Sequence, residues 1–295
     1  MKSDVRLYVI VARSAPLGVV FRRGPSKRVL LVEWDMNTDT FKSGQWFKGR
    51  IYERRCDLSP RGDFLLYFAA NYRKPYRSWS AISRPPYLTA LALWPKGDAW
   101  GGGGHFTYGN RVALNHRVDE MALANDFTVP KWLAVQQFGE RPGWGEDDPI
   151  WAERLKREGW VQIGQGAVAR QDYNAKVWCE FSPPIVWRKP NPVWPKRYTL
   201  LMSVVGLKER DGPWYLIEHS LLGGEGLAED IGRTDWADWS RSGDLLFAKG
   251  GCLFRVVRRN NSLCSVAAAV KIADFSNDEF EPREAPEEMR HWPRR

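Results

Sequence analysis

Short apolar runs broken by turn residues set the rhythm of this chain. Leu7 to Ala12, Arg28 to Trp34, Phe64 to Ala69, Val112 to Leu114, Thr199 to Leu207 and Leu245 to Ala248 are rich in β-branched or aromatic residues and read as strands. Several pair off as hairpins. His105 to Tyr108 and Arg111 to His116 flank Gly109-Asn110, a two-residue turn suited to positive φ. Tyr198 to Leu207 and Trp214 to His219 flank Lys208 to Pro213, and Leu245 to Ala248 and Cys252 to Val257 flank Lys249-Gly250-Gly251. Hairpin after hairpin, without sustained strand–helix alternation, argues for an all-β chain and against a parallel α/β sheet. One helix is predicted where Asp148 can cap, Pro149 fits the first position, Ile150, Trp151 and Leu155 share a face, and Gly159 ends the run. A second is expected over Val118 to Asn125, both on one rim of the strand array, and a short third at Glu287 to Trp292.

One phrase recurs. Asp57-Leu58-Ser59-Pro60-Arg61-Gly62-Asp63-Phe64-Leu65-Leu66 returns as Asp238-Trp239-Ser240-Arg241-Ser242-Gly243-Asp244-Leu245-Leu246-Phe247, 181 residues later, with Asp, Ser, Gly, Asp and the second apolar residue in register. Each copy is a polar turn that feeds a buried strand. Propeller blades repeat every ~40–45 residues, so this offset corresponds to about four blades. Pro95-Lys96-Gly97-Asp98 is a shortened third copy. The expectation is a β-propeller of about five or six degenerate blades over residues 1–276, followed by a charged, Pro-containing strap or tail over 277–295.

Composition adjusts this picture in three places. The 16 Trp spread from Trp34 to Trp292, as expected if each repeat contributes an aromatic wedge to the seam with the next, or if they line a ligand groove. The net charge of +9, from 44 Lys and Arg against 35 Asp and Glu, favours solubility and weak attraction to polyanions. Its densest stretches, Arg50 to Arg55, Arg73 to Arg84 and Arg255 to Arg259, contain no unbroken run of like charge and read as solvated surface. Cys56, Cys179, Cys252 and Cys264 form no C-x-x-C pair and are expected as free thiols in a reducing compartment. The opening segment, with Lys2, Asp4 and Arg6 before a short apolar run, reads as a first strand rather than a secretory signal. No stretch approaches the ~18 apolar residues of a membrane helix, so a cytoplasmic protein without membrane contact is expected.

Motifs for chemistry are sparse. Gly164-Gln165-Gly166-Ala167-Val168-Ala169 fits a dinucleotide fingerprint, but no amphipathic helix follows, and a hairpin turn is expected instead. Asp35, Asn37 and Asp39 have the spacing of a calcium loop, but Thr40 and Trp46 stand where Gly and Glu are required, leaving a polar hairpin loop. His105, His116, His219 and His291 lack metal-ligand spacing, and neither a nucleophile elbow nor a phosphate loop occurs. No cofactor and no metal are therefore expected. Asp147, Asp148, Glu225 and Asp230 could meet in a funnel as a glycosidase pair, although surface acids are the usual explanation for carboxylates so scattered.

The turn phrases DLSPRGDFLLYF and DWSRSGDLLFAK resemble the blade signature of WD-like propellers of the bacterial periplasmic-translocation type, in which D-x-S-P-D-G-x-x-L-x-F opens an inner strand. Arg61 and Ser242 stand where Asp is usual, and Arg241 replaces Pro. The stretches RIYERRCDLSP, AISRPPYLTALALWPKGDAWGGGG and ADWSRSGDLLFAKGGCLFR also resemble phrases of uncharacterised bacterial proteins, which bring no known activity. The resemblance implies a rigid disc that presents loops to other proteins. The segment Arg84 to His105, with Arg84, Tyr87, Trp94, Trp100 and His105 around prolines and four glycines, is the expected partner surface, since aromatic and Arg anchors suit protein interfaces. The first expectation is a non-enzymatic, cytoplasmic protein-interaction platform. The alternative is a nucleic-acid-binding component using Arg50, Arg54, Arg73 and Arg84 beside aromatics. A hydrolase acting in the funnel is the third reading.

Overall fold

The structure, a computed structural model, describes residues 5–24, 27–223 and 228–294. Lys2, Asp4 and Glu225 lie outside them. The described chain is all-β, with several mainly antiparallel sheets, none closed into a barrel, and one α-helix among the described residues, Ile150–Arg157. The described residues divide into two compact units, the first from residues 8–154 and 278–294 and the second from residues 5–7 and 155–277.

The first unit contains three sheets. The strand Arg6–Val11, whose last residues belong to this unit, starts an antiparallel meander continued by Leu17–Arg23, Arg28–Asp35 and Thr40–Lys48. At its tightest turn, Asp35 accepts the Asn37 N–H and Asp39 accepts the Trp34 indole N–H, so the calcium-like spacing is a hairpin loop. In the next sheet Leu65–Ala70 is buried at every position, as a central strand covered on both faces must be. Arg50–Ile51 and Asp57–Leu58 pair along one of its edges, and Ser78–Ser83 and then Ala92–Pro95 follow on the other. The third sheet joins Gly104–Thr107 to Arg111–Leu114 across Gly109 and Asn110, both at positive φ as the turn requires, and adds Ala134–Gln137 in parallel. Phe64, Leu66, Ile82, Trp94, Phe106, Val112 and Leu114 form a core between these two sheets.

The helix over Ile150–Arg157 forms where expected, its first bond running from the Trp151 N–H to the Asp147 carbonyl. The helix expected over Val118 to Asn125 does not form. Only Val118–Glu120 turns, as a 3-10 segment, because Leu123 is drawn against the core and the Ala124 N–H bonds to the Leu93 carbonyl. The helix at Glu287 to Trp292 likewise shrinks to a 3-10 turn, Glu287–Met289. Around it, residues 278–294 run as a strap along the first unit: Arg22 Nη2 reaches the Asp278 carbonyl at 2.9 Å, and Arg283 Nη1 the Ser43 carbonyl at 2.8 Å. The Trp292 indole, bonded to the Thr128 carbonyl at 2.9 Å, packs on Phe64 and Trp132.

The second unit has a six-stranded sheet centred on Val177–Pro190 and Thr199–Glu209, where alternate residues Leu200, Met202, Val204 and Gly206 are buried. Its four-stranded sheet orders Trp236–Trp239, Leu245–Lys249, Cys252–Val256 and Val270–Asp274. The dinucleotide-like stretch spans the end of the strand Val161–Gln165 and the start of the strand Val168–Gln171, and the next element is a strand rather than a helix. These two strands both pair with Val177–Pro190 rather than with each other, so Gly166 makes a step along one edge instead of the expected hairpin.

Both copies of the repeated phrase are hairpin turns, one in each unit. In each, the Gly N–H bonds to the Ser carbonyl at 2.9 Å, and Gly62 and Gly243 take φ of 86° and 87°. The Ser hydroxyl then receives the N–H at the far side, from Phe64 in the first copy and from Asp244 in the second. The first loop is therefore one residue longer, and Asp57 pairs with Leu66 where Asp238 pairs with Leu246.

Candidate functional site: a tryptophan pair on a buried polar frame

Two glycine-rich loops of the first unit carry Trp100 and Trp144, which remain 46% and 62% exposed. Their rings meet edge to face, with centroids 6.5 Å apart. Each indole precedes a glycine of positive φ, Gly101 and Gly145, and the Gly101 N–H bonds the Gly145 carbonyl at 2.7 Å. At Gly103 a Cβ would lie 2.1 Å from the Arg55 carbonyl oxygen, so only glycine lets this loop lie so deep.

Beneath the loops, two fully buried polar side chains act as the frame. Asn115 uses every group it has: its Nδ2 donates to the Trp144 carbonyl at 2.9 Å and its Oδ1 accepts the Gly143 N–H at 2.7 Å. Its backbone exchanges bonds with Gly102 and Gly103 at 2.8 and 2.9 Å. The Arg55 guanidinium donates to Asp147 Oδ1 at 2.9 Å and to the carbonyls of Ala99 and Gly101, both at 2.7 Å, with the rings of Tyr52 and Phe68 against it. Burying such groups is unfavourable unless they are hydrogen-bonded, and here their bonds go to the two loops.

A third element fixes the glycine run from behind. The Gly103 N–H donates to Ser80 Oγ at 2.8 Å, and Ser80 Oγ lies 2.8 Å from His116 Nε2. His116 Nδ1 sits 3.0 Å from the Glu120 carbonyl, which can only accept. The proton is therefore on Nδ1, and Ser80 donates to Nε2. Burial lowers the His116 pKa to about 4, so the ring is neutral at neutral pH. This is the bonding order of an activated serine, yet both side chains are completely buried and no substrate can reach Ser80. Lys96 Nζ is held between Asp98 and Glu120 at 2.8 and 2.7 Å, and Asp98 also takes the Trp100 N–H and Arg117. Burial opposes charge on Asp98, but its bonds to Lys96, Trp100 and Arg117 outweigh it and keep the carboxyl below its ordinary range.

Of the residues expected at a partner surface, only Trp100 belongs to this display. Trp94 is in the core, and Tyr87 is buried beneath Lys42. His105 is buried with Nε2 2.8 Å from the Ile150 carbonyl. Arg84 bonds the Glu288 carbonyl of the strap. Among the alternative set, Arg54 pairs with Glu53 and lies over Tyr8 and Trp151, whereas Arg50 lies over the Tyr52 ring and Arg73 is exposed. Trp144, Asn115 and Arg55 were not foreseen. The sequence signal for Trp144 is its glycine on either side.

No three His, Cys, Asp or Glu side chains gather to hold a metal ion among the described residues. Asp147 is engaged by Arg55, and Asp230 accepts the Gly232 N–H of its own turn. A surface depression of about 280 Å³ lined by Tyr76, Pro95, Asp119, Glu120 and Leu123 holds two carboxylates, of which Glu120 is committed to Lys96 and Arg117. All four cysteines are free thiols; Cys56 and Cys179 are buried, and burial pushes the Cys56 thiol far up. No helix among the described residues is long and apolar enough to cross a membrane.

No known family and no curated protein matches the sequence. Among solved structures, an uncharacterized protein of Listeria monocytogenes EGD-e is similar over 93% of this chain and 85% of its own, at 10% identity and a TM-score of 0.31. A likeness at that score carries no argument about fold or function.

Proposed function

We propose that this protein is a non-enzymatic, cytoplasmic protein-interaction platform whose anchor is the Trp100–Trp144 pair. The observation that supports this reading is the construction of the display. Buried Arg55 and Asn115 spend their hydrogen bonds on two loops that hold large aromatic rings in water. Exposed rings on a rigid frame lose little conformational freedom on binding, and Trp is the residue most enriched among interface anchors. The partner is accordingly a protein with an apolar recess that accepts an indole pair.

The scaffold we propose is a WD-like propeller of five or six degenerate blades over residues 1–276, closed by the segment 277–295. Support comes from the antiparallel meanders Arg6–Lys48 and Trp236–Asp274 and from the same Ser–Gly turn at both copies of the repeated phrase.

The test compares capture by the tagged full-length protein with capture by a Trp100→Ala, Trp144→Ala variant, after nuclease treatment of the lysate. A protein retained by the parent and lost by the variant, with both equally folded by circular dichroism, supports the platform. Identical capture by the two would remove the tryptophan pair from the function.

A further inference from the structure

The first unit holds a second built face, on the loop of residues 71–77 that joins Leu65–Ala70 to Ser78–Ser83. Its sequence is Asn-Tyr-Arg-Lys-Pro-Tyr-Arg. The loop is tied at its neck, where the Asn71 and Tyr72 N–H groups both bond the Arg77 carbonyl and the Arg77 N–H bonds the Arg73 carbonyl at 2.8 Å. Tyr72 and Arg77 sit at φ of 59° and 62°, left-handed positions that a side chain occupies only when the surroundings enforce them.

Enforcement comes from Tyr52, whose hydroxyl lies 2.7 Å from that of Tyr72. The Tyr72 ring stays half exposed, with Lys27 Nζ 6.0 Å from its centroid. The Arg50 guanidinium lies 4.5 Å from the centre of the Tyr52 ring and makes no hydrogen bond to any described residue; its Nε is buried without a partner. Arg73, Lys74 and Arg77 are exposed. Among the described residues, none of Lys27, Arg50, Arg73, Lys74 and Arg77 is paired with a carboxylate. The nearby Glu53 is buried and satisfied by Arg23 and Arg54. An aromatic face is thus fixed in the midst of cations left without counterions.

The geometry points to a binding site for single-stranded nucleic acid, with a base stacked on Tyr72 and its flanking phosphates on Arg73, Lys74, Arg77, Lys27 and Arg50. The charge selects a polyanion, and the open ring selects one whose bases are unpaired. A duplex hides its base faces, and an acidic peptide has no ring to stack. Five phosphate contacts on a single strand give a salt slope of about −3.5, or a loss of roughly 100-fold in affinity between about 50 and 200 mM salt.

The experiment is fluorescence anisotropy of a labelled oligo-dT of about 15 nucleotides, titrated with the full-length protein at both salt concentrations. Tyr72→Ala should weaken binding between about 5- and 150-fold without changing the salt slope, and Tyr72→Phe, which keeps the stacking ring but loses the bond to Tyr52, should weaken it less than Tyr72→Ala. Lys74→Ala, at an exposed position, should instead reduce the slope by about 0.7. Absence of binding at about 50 mM salt, an unchanged affinity in Tyr72→Ala, or equal competition by duplex DNA or poly-glutamate would each overturn the assignment.

Discussion

His116 offers the sharpest handle on the frame that carries the tryptophan pair. Its ring is neutral, fully buried and committed at both nitrogens, so protonation would place beneath the glycine loop a charge that burial disfavours more than Glu120 and Asp98 favour it, and would turn Nε2 from acceptor to donor against Ser80. The folded-state pKa of about 4 lies below the ordinary value of 6.5, so between these limits the unfolded chain binds the extra proton. The contribution is complete above pH 6.5 and is lost as pH falls toward 4: about 2 kcal/mol by pH 5 and about 3 kcal/mol by pH 4. Other groups titrate in the same range, so the comparison is with His116→Asn, which cannot take up this proton. Urea unfolding of both proteins at pH 7, 6 and 5 gives the difference in stability at each pH. The advantage of the parent over the variant should shrink by about 2 kcal/mol between pH 7 and 5. Only four imidazoles need be resolved by NMR, and that of His116 should remain unprotonated at pH 5.5. An advantage that stays constant with pH, or a His116 resonance titrating near 6.5, would refute the reasoning.

Further outcomes follow from the same frame. Arg55→Met strands Asp147 and the Ala99 and Gly101 carbonyls, and should cost about 3–5 kcal/mol with a shift in Trp emission; a loss below about 1 kcal/mol contradicts the bonding described. Gly103→Ala drives a Cβ into the Arg55 carbonyl and should lower stability by about 3 kcal/mol or more, whereas Gly97→Ala, at similar φ but with open space around it, should cost only about 1–2 kcal/mol. Thermal unfolding of the two alanine variants decides whether the frame or the backbone angle dominates. Trp292→Ala removes the ring packed on Phe64 and Trp132 and should cost about 2 kcal/mol while speeding proteolysis within residues 278–294. Unchanged proteolysis would mean that the strap is held by its other bonds.

The strands and turns were legible because their signals are local. Period-two burial in Thr199–Glu209, a continuous apolar run in Leu65–Ala70 and Gly-Asn at a hairpin each depend on neighbours a few residues away. The segment from Val118 misled because its apolar residues satisfy a helical pattern and a core contact equally, and the Leu93 carbonyl claims the Ala124 N–H. At the site, Trp100 drew attention through the glycine run beside it, and Trp144 has the same local grammar in Gly143-Trp144-Gly145. Arg55 and Asn115 could not be singled out, since their partners Asp147 and Gly143 lie 92 and 28 residues away. Among many arginines, the one that becomes a buried frame is chosen by tertiary structure. The basic stretches carried no such distinction either: Arg54 and Arg84 are spent on Glu53 and on the strap, while Arg73 is left open.

The two faces of the first unit rest on interactions that salt affects in opposite ways. An indole pair entering an apolar recess gains mainly by removing surface from water, a term that ordinary salt leaves intact and that kosmotropic salts strengthen. Phosphates held by exposed Arg and Lys are bound largely through counterion release, which rising salt abolishes. A single wash series therefore separates them. A protein partner held by Trp100 and Trp144 should persist through about 200 mM salt and fail with the double alanine variant, whereas a nucleic acid on Tyr72 should leave at that salt with both tryptophans present. If one partner followed both patterns, the two faces would have to serve a common ribonucleoprotein or nucleoprotein ligand. Its affinity would then exceed that of either face alone, because binding at one raises the effective concentration at the other.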